Sequence, residues 1–265
     1  MKKKLFYKIT KKYWNILSYE HAKKNNFIVQ KGIFKNLKIN QETSWSNGDL
    51  ASKIYGFYEN KVQEKLKEIN KPILIDIGAA DGFFAVGCLY SNLSKYCYAF
   101  EQNEISRSAL YKTAEINNVN NQISIMGKVD NKNFFSSLPN DLDLSETVIL
   151  CDIEGEEFNF FSESILKKLK KSNLIIEIHN KNSNSKEIAL LKIAKKFFDV
   201  SIIIDSNKDM SEFNMLHNLN DIDRNLIACE GRSYIGKWWH LSPKQTQKNI
   251  IKSPSRKAPI LKNKV

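Results

Sequence analysis

Six short apolar runs, separated by segments of helical periodicity, restrict the folds open to this sequence more than any other feature. They are ILIDI at 73–77, YCYAF at 96–100, ISIM at 123–126, TVILCD at 147–152, LIIEIH at 174–179 and VSIIID at 200–205. Runs of this kind, rich in β-branched residues and without regular polar alternation, belong to strands covered on both faces. The stretches between them carry helical patterns near 82–93, 104–117, 157–170 and 186–198. Strand and helix in that alternation give a doubly wound α/β fold on a parallel sheet.

The segment ahead of the first run is also helical in pattern. Leu5, Phe6, Ile9, Tyr13, Ile16 and Leu17 recur at helical spacing beside six lysines, which makes an amphipathic basic helix. Such a helix either packs on the main domain with a solvated lysine face or rests on an anionic membrane surface. A second helix is expected after Asn47-Gly48-Asp49, with Leu50, Ile54, Tyr58, Val62, Leu66 and Ile69 on one stripe and Pro72 ending it. The expected organisation is an N-terminal helical region over 1–70, an α/β domain over 71–243, and a basic, flexible tail over 244–265.

A formal charge of +12 invites a nucleic-acid reading, and its distribution argues against one. Residues 1–38 hold eleven lysines against Glu20 alone, and residues 244–265 hold seven basic residues and no acid. The stretch 39–243 therefore carries −5, which is poor for neutralising phosphates. Lysine outnumbers arginine 37 to 4 and asparagine stands at 29, a joint bias that codon composition produces without any partner. The chain has no apolar run of the roughly 18 residues a membrane span needs. Its lysine-rich start lacks the apolar core of a signal peptide. The cytoplasm is the expected compartment, with Cys88, Cys97, Cys151 and Cys229 as reduced core thiols.

The first run leads into Asp76-Ile77-Gly78-Ala79-Ala80-Asp81-Gly82 and then a helix. Glycines at this junction let the backbone turn tightly and approach a ligand. The spacing is G-x-x-x-G, not the G-x-G-x-x-G that seats a pyrophosphate. Asp76 and Asp81 would repel a phosphate and suit a ligand carrying an ammonium and a sulfonium. Glu101 follows just after the second run, where an acidic residue can accept both hydroxyls of a ribose.

This loop with its distal acid resembles the S-adenosylmethionine site of class I methyltransferases. Further segments narrow the resemblance to the FkbM-type methyltransferases: Lys31 to Leu37, Tyr55 to Glu59, Ala99 to Gln102, Asp152 to Glu157 and Ile176 to His179, in the family's order over roughly residues 31–180. The closing Glu230 to Tyr234 and Trp238 to Leu241 look like the end of some members, while Gln102 departs from the family's usual proline. The resemblance implies a seven-stranded sheet with one antiparallel strand, S-adenosylmethionine as cosubstrate with S-adenosylhomocysteine as product, and methyl transfer to a hydroxyl, often on a sugar, glycan or glycolipid-type acceptor. It places Asp76, Gly78, Ala79, Asp81, Gly82 and Glu101 at the cofactor, and Tyr58 and Glu59 near the cofactor's amino-acid end. A solvated carboxylate in the middle of a helix is the other reading of Glu59.

A second polar cluster stands at the ends of the fourth and fifth runs. Asp152 and Glu154 at i, i+2 would point the same way in an extended exit, and Glu177 and His179 repeat the pattern. Ligands of open α/β sheets lie beyond the strands' carboxyl ends, where these four residues converge. Three roles fit them: a general base for the acceptor's proton, centred on His179 with Asp152 and Glu154; a divalent-cation ligand set; or internal pairing. The base role is carried forward and no metal is assigned. Because arginine is so scarce, Arg224 and Arg232 point to planar bidentate contacts, either with an internal carboxylate or with substrate. Glu177 and Arg232 are the expected substrate contacts. No N-P-P-Y-like segment follows the fourth run, so a nucleic-acid acceptor is not expected.

Overall fold

In the computed structural model, which describes residues 2–41, 47–179, 184–204, 208–232 and 236–244, every one of the six apolar runs contributes a strand. The elements run α1 (Lys2–Lys24), α2 (Leu50–Ile54), α3 (Asn60–Ile69), β1 (Ile73–Ile77), α4 (Phe83–Tyr90), β2 (Tyr96–Phe100), α5 (Glu104–Ile116), β3 (Ile123–Met126) and β4 (Thr147–Cys151). They continue with α6 (Glu157–Phe160), α7 (Glu163–Lys168), β5 (Asn173–Glu177), α8 (Asn184–Phe197), β6 (Phe198–Ile204), α9 (Asn214–His217), α10 (Asp221–Ala228) and β7 (Lys237–Pro243). The tail expected over 244–265 lies outside the described residues except for Lys244, as do Ser233 and Tyr234.

The seven strands form one sheet in the order β3-β2-β1-β4-β5-β7-β6, with β7 antiparallel to both neighbours and the other pairs parallel. This is the seven-stranded, Rossmann-like sheet with one antiparallel strand that the resemblance implies. The chain order reverses between β1 and β4, and such a switch point opens a crevice at the strands' carboxyl ends.

Each face of the sheet has its own core. Leu74, Cys97, Ala99, Val148 and Leu150 pack on one side with α4, α5 and the N-terminal segment, while Ile75, Ile77, Ile149 and Cys151 pack on the other with α6, α7 and α8. The period-two geometry of β7 sends Trp238 to the first core and Trp239 to the second, both nearly inaccessible. Their rings close the sheet, and Trp238 also reaches the wall of the cleft described below. Cys88, Cys97 and Cys151 are buried and Cys229 half-buried, all as free thiols.

The N-terminal region differs from its sequence pattern in two places. In α1, Ile9, Tyr13 and Ile16 face outward, whereas Trp14, Ser18, His21 and Ala22 are buried. The small Ser18 decides this: its hydroxyl donates to the Gly48 carbonyl at 2.6 Å and accepts the Ala51 N–H at 2.7 Å, so the helix docks through a polar-small stripe. The second expected helix is two helices, broken over Tyr55 to Glu59. Glu59 sits in the left-handed region (φ 43°) at the start of α3 and is buried, so it is not a solvated helix carboxylate. No described helix is long and apolar enough to cross a membrane.

Candidate active site

The glycine loop hangs from the end of the neighbouring strand. The N–H groups of Gly78 and Ala79 both donate to the Phe100 carbonyl, at 2.8 and 3.0 Å. Gly78 has φ 91°, and a Cβ there would collide with the main-chain oxygen of Asp152 at the exit of β4. Gly82, at φ 88°, is the N-cap of α4, and a Cβ there would strike Leu110. Both positions therefore require glycine on conformational and steric grounds. Between them Ala80 also lies at positive φ (47°), a conformation that costs a non-glycine residue free energy. Its N–H donates at 3.0 Å to Glu101 Oε2, while Glu101 Oε1 accepts the Asn103 N–H at 2.7 Å. Glu101 thus fastens the loop to the exit of β2 and still faces the cleft with further lone pairs.

That cleft has a volume of about 740 Å³. Asp76, Gly78, Ala79, Asp81, Glu101 and Tyr58 line it, whereas Gly82 stands behind as the helix cap and Glu59 does not reach it. Asp76 is buried with Oδ2 unpartnered among the described residues, and burial followed by the charge of Glu101 pushes its carboxyl up to about 7. Asp81 is already engaged: Lys53 Nζ lies 2.9 Å from it and 2.9 Å from Asp49. Lys53 is buried beside the faces of Tyr58 and Phe83, at 5.1 and 5.5 Å from the ring centroids. Burial disfavours its charge, but the two aspartates more than offset that and hold it cationic. The first turns of α1 close the cleft with Tyr7, Lys11 and Trp14.

At the other end, Asp152, Glu154, Glu177 and Arg232 line the cleft. The convergence of Asp152 and Glu154 does not come from an extended exit, because Glu154 has φ 52° and Gly155 φ 105°. The turn brings Glu154 back toward His179, whose Nε2 lies 3.5 Å from Asp152 Oδ1, 3.7 Å from Glu154 Oε2 and 3.5 Å from Glu177 Oε2. His179 follows β5 by two residues, and its side chain is only 1% exposed. This corrects its expected role: the imidazole stands behind the carboxylates and does not open on the cleft, so an acceptor there cannot pass a proton to it directly. Burial alone would lower its pKa, but Glu157, Glu177 and Asp152 raise it. Burial and the adjacent Glu177 push Asp152 well above the usual carboxylate range.

Arg232 lines the cleft and is at the same time paired internally, the alternative that its scarcity left open beside a substrate contact. Its guanidinium pairs with Glu59, with Glu177 and, at 2.9 Å, with Glu230. Burial works against its charge, and Glu59 and Glu177 more than offset it. Glu230 also accepts the Glu59 N–H at 3.0 Å and meets Lys208 at 3.3 Å. Arg224 instead pairs locally with Asp221 on α10.

Three contributors are absent from the sequence reading. Lys53 is hidden among 37 lysines. Glu157, wholly buried, receives the N–H groups of His179 and Gly155 at 2.7 and 2.8 Å. Arg107 donates to the Glu101 and Gln102 carbonyls at 2.9 and 2.8 Å, and the scarcity of arginine was a signal for it.

No family model and no curated protein matches the chain. Among solved structures it is similar to precorrin-6y C5,15-methyltransferase from Geobacter metallireducens, at 10% identity over 71% of this chain and 90% of that one, with a TM-score of 0.48. It is also similar to an O-methyltransferase from Bacillus cereus in complex with S-adenosylhomocysteine, at 11% identity over 68% and 78% with a TM-score of 0.45. The tRNA (m1A58) methyltransferase TrmI from Aquifex aeolicus is 15% identical over 73% and 71%, with a TM-score of 0.46. At such distances the functional reading rests on this chain's own cleft.

Proposed function

We propose that the chain is an S-adenosylmethionine-dependent methyltransferase of the FkbM type that methylates a hydroxyl of a sugar, glycan or glycolipid-type acceptor. The observation that carries the cofactor assignment is the pairing of the Gly78–Gly82 loop with Glu101 at the exit of β2, beside the switch point, in a cleft lined by Asp76 and Asp81. The acidic lining opposes a phosphate-bearing ligand and suits a sulfonium and an ammonium. Asp76 Oδ2, buried without a partner among the described residues, supplies an acceptor for such a cation, and Lys53, already held by Asp49 and Asp81, has one N–H left for an amino-acid carboxylate. Glu101 is placed to accept ribose hydroxyls with charge-assisted hydrogen bonds.

Bound there, the cofactor supplies an electrophilic methyl group on sulfur. The rest falls to the protein: Gly78 keeps the loop within reach of Asp152, and α1 walls the cleft with Trp14 and Tyr7. Asp152 and Glu154 are the polar groups an acceptor hydroxyl meets beyond the loop. The hydroxyl class of acceptor rests on the resemblance of the Asp152 to Glu157 and Ile176 to His179 segments. Calorimetric titration with S-adenosylmethionine and S-adenosylhomocysteine tests the cofactor, with binding expected and with NAD and ATP failing to compete. Folded protein that takes up neither at millimolar concentration would sink the proposal. A product screen by mass spectrometry over sugar acceptors, with RNA as the contrasting arm, tests the hydroxyl assignment.

A further inference from the structure

Around His179 three carboxylates, two from the exit of β4 and one from the end of β5, surround one imidazole nitrogen. The distances from Nε2 are 3.5, 3.7 and 3.5 Å, to Asp152, Glu154 and Glu177. One ligand atom each from Asp152, Glu154 and His179 all lie within 4.8 Å of one another. Ligands held about 2.1 Å from a common ion stand about 3.4 Å apart in a tetrahedral shell and about 3.0 Å apart in an octahedral one. The observed spacings are long for hydrogen bonds and close to those between ligands of one ion, so a cation could replace the ion pairs that these carboxylates make with the imidazole.

Two independent observations point the same way. Asp152 Oδ1 is withdrawn from solvent and has no hydrogen-bond partner among the described residues, although it faces Nε2. Behind the ring, the wholly buried Glu157 carboxylate stands 3.6 Å from Nδ1 and is itself fixed by the N–H groups of His179 and Gly155. A carboxylate behind the outer ring nitrogen is the arrangement that orients metal-binding histidines. Arg232 meets Glu177 from the far side and is shared with Glu59 and Glu230, which assigns Glu177 to the arginine and leaves Asp152, Glu154 and His179 as the ligand set.

We propose that Asp152, Glu154 and His179 bind one divalent transition-metal ion of the Mn²⁺, Fe²⁺ or Zn²⁺ type, with its remaining coordination positions open to the cleft. The imidazole selects this class over Ca²⁺ and Mg²⁺, which take oxygen ligands. Three protein ligands with open positions are the pattern of catalytic and not of structural sites. An ion there would take an acceptor hydroxyl as a further ligand and lower its pKa, as metals do for bound water. That consequence rests on the methyltransferase reading, whereas the metal site itself does not.

The test uses the full chain, stripped with a chelator and titrated with Mn²⁺, following loss of the free-ion electron paramagnetic resonance signal with Zn²⁺ as competitor. One ion per chain is expected, with affinity at least tenfold weaker in Asp152→Asn and Glu154→Gln. It should be unchanged in Glu163→Gln, whose carboxylate meets Lys196 at the surface. The Glu154 side chain is 65% exposed, so its variant tests the site even where Asp152→Asn melts early. Absence of Mn²⁺ and Zn²⁺ uptake at millimolar concentration, or uptake indifferent to both variants, overturns the proposal. Competition by Mg²⁺ or Ca²⁺ as strong as by Zn²⁺ also overturns it, because that describes carboxylates acting without the imidazole. S-adenosylhomocysteine binding is measured on the same stripped protein. Binding without metal uptake removes the metal site alone, and metal uptake without it removes the methyltransferase reading alone.

Discussion

The glycine loop after β1 and the carboxylate rim after β4 and β5 share one cleft, yet the first is held by main-chain hydrogen bonds and the second by ion pairs. Gly78, Ala79 and Ala80 bond to the exit of β2 through their N–H groups. The rim depends on Glu59, Asp152, Glu177, Glu230 and Arg232, which come from four parts of the chain. Contiguous residues forming a backbone structure leave a local signature in sequence, whereas long-range side-chain pairing leaves none. The two regions should therefore fail differently when broken.

The largest effect is expected at Arg232. Arg232→Met leaves Glu59, Glu177 and Glu230 buried at 5% side-chain exposure or less without their shared cation, which should cost about 3–5 kcal/mol of folding stability. Urea denaturation measures this, and adding Glu59→Gln should restore part of the loss by removing one orphaned charge. A variant as stable as wild type would show that the rim is not held by this arginine. Next comes Gly78→Ala, which combines a left-handed φ with a collision against the Asp152 carbonyl and should cost about 2–4 kcal/mol. Here the main chain must move, so S-adenosylhomocysteine binding should fall together with stability, which distinguishes the loop from the rim.

Glu101→Gln sharpens the comparison from the other side. An amide oxygen can still accept the Ala80 or Asn103 N–H, so the loop should stay largely folded while the charge-assisted contacts to a ribose are lost. The expected result is a several-tens-fold weaker affinity for S-adenosylhomocysteine with a small change in melting temperature. Equal affinity in variant and wild type would remove Glu101 from the ribose site.

These contrasts also explain what could be read in advance. The strands were legible because each is a short apolar run, and the Gly78, Gly82 and Glu101 positions because backbone geometry demands particular residues at particular spacings. The orientation of α1 was not, since Ser18 and Ala22 dock by being small while Ile9 and Ile16 remain outside. The burial of His179 was not, since it follows from side chains of β4, β5 and α6 that meet only in the folded chain, and Gly155 announces a turn without saying where it sends Glu154. Lys53 and Glu157 act through partners 28 and 22 residues away, and composition conceals the lysine.

The last effect is a slope with pH, not a loss at one pH, and concerns Asp76, where the cleft's main-chain end meets its electrostatics. Burial and Glu101 raise its pKa from 3.8 to about 7, so the folded state holds this proton more tightly than the unfolded chain does. Stability falls with rising pH wherever the native state binds more protons. The loss attributable to Asp76 should accrue between about pH 4 and pH 7 and level off above, when both states are ionised. Asp76→Asn removes this proton exchange while keeping a similar shape. Its melting temperature relative to wild type should rise steadily from pH 5 to pH 7 and then hold constant to pH 8.5. Subtracting the variant cancels His179, which titrates in both proteins and whose raised pKa also withdraws stability as pH increases. A temperature difference that does not change between pH 5 and pH 7 would mean that Asp76 is ionised throughout this range in the folded protein, which removes the proton assigned to it.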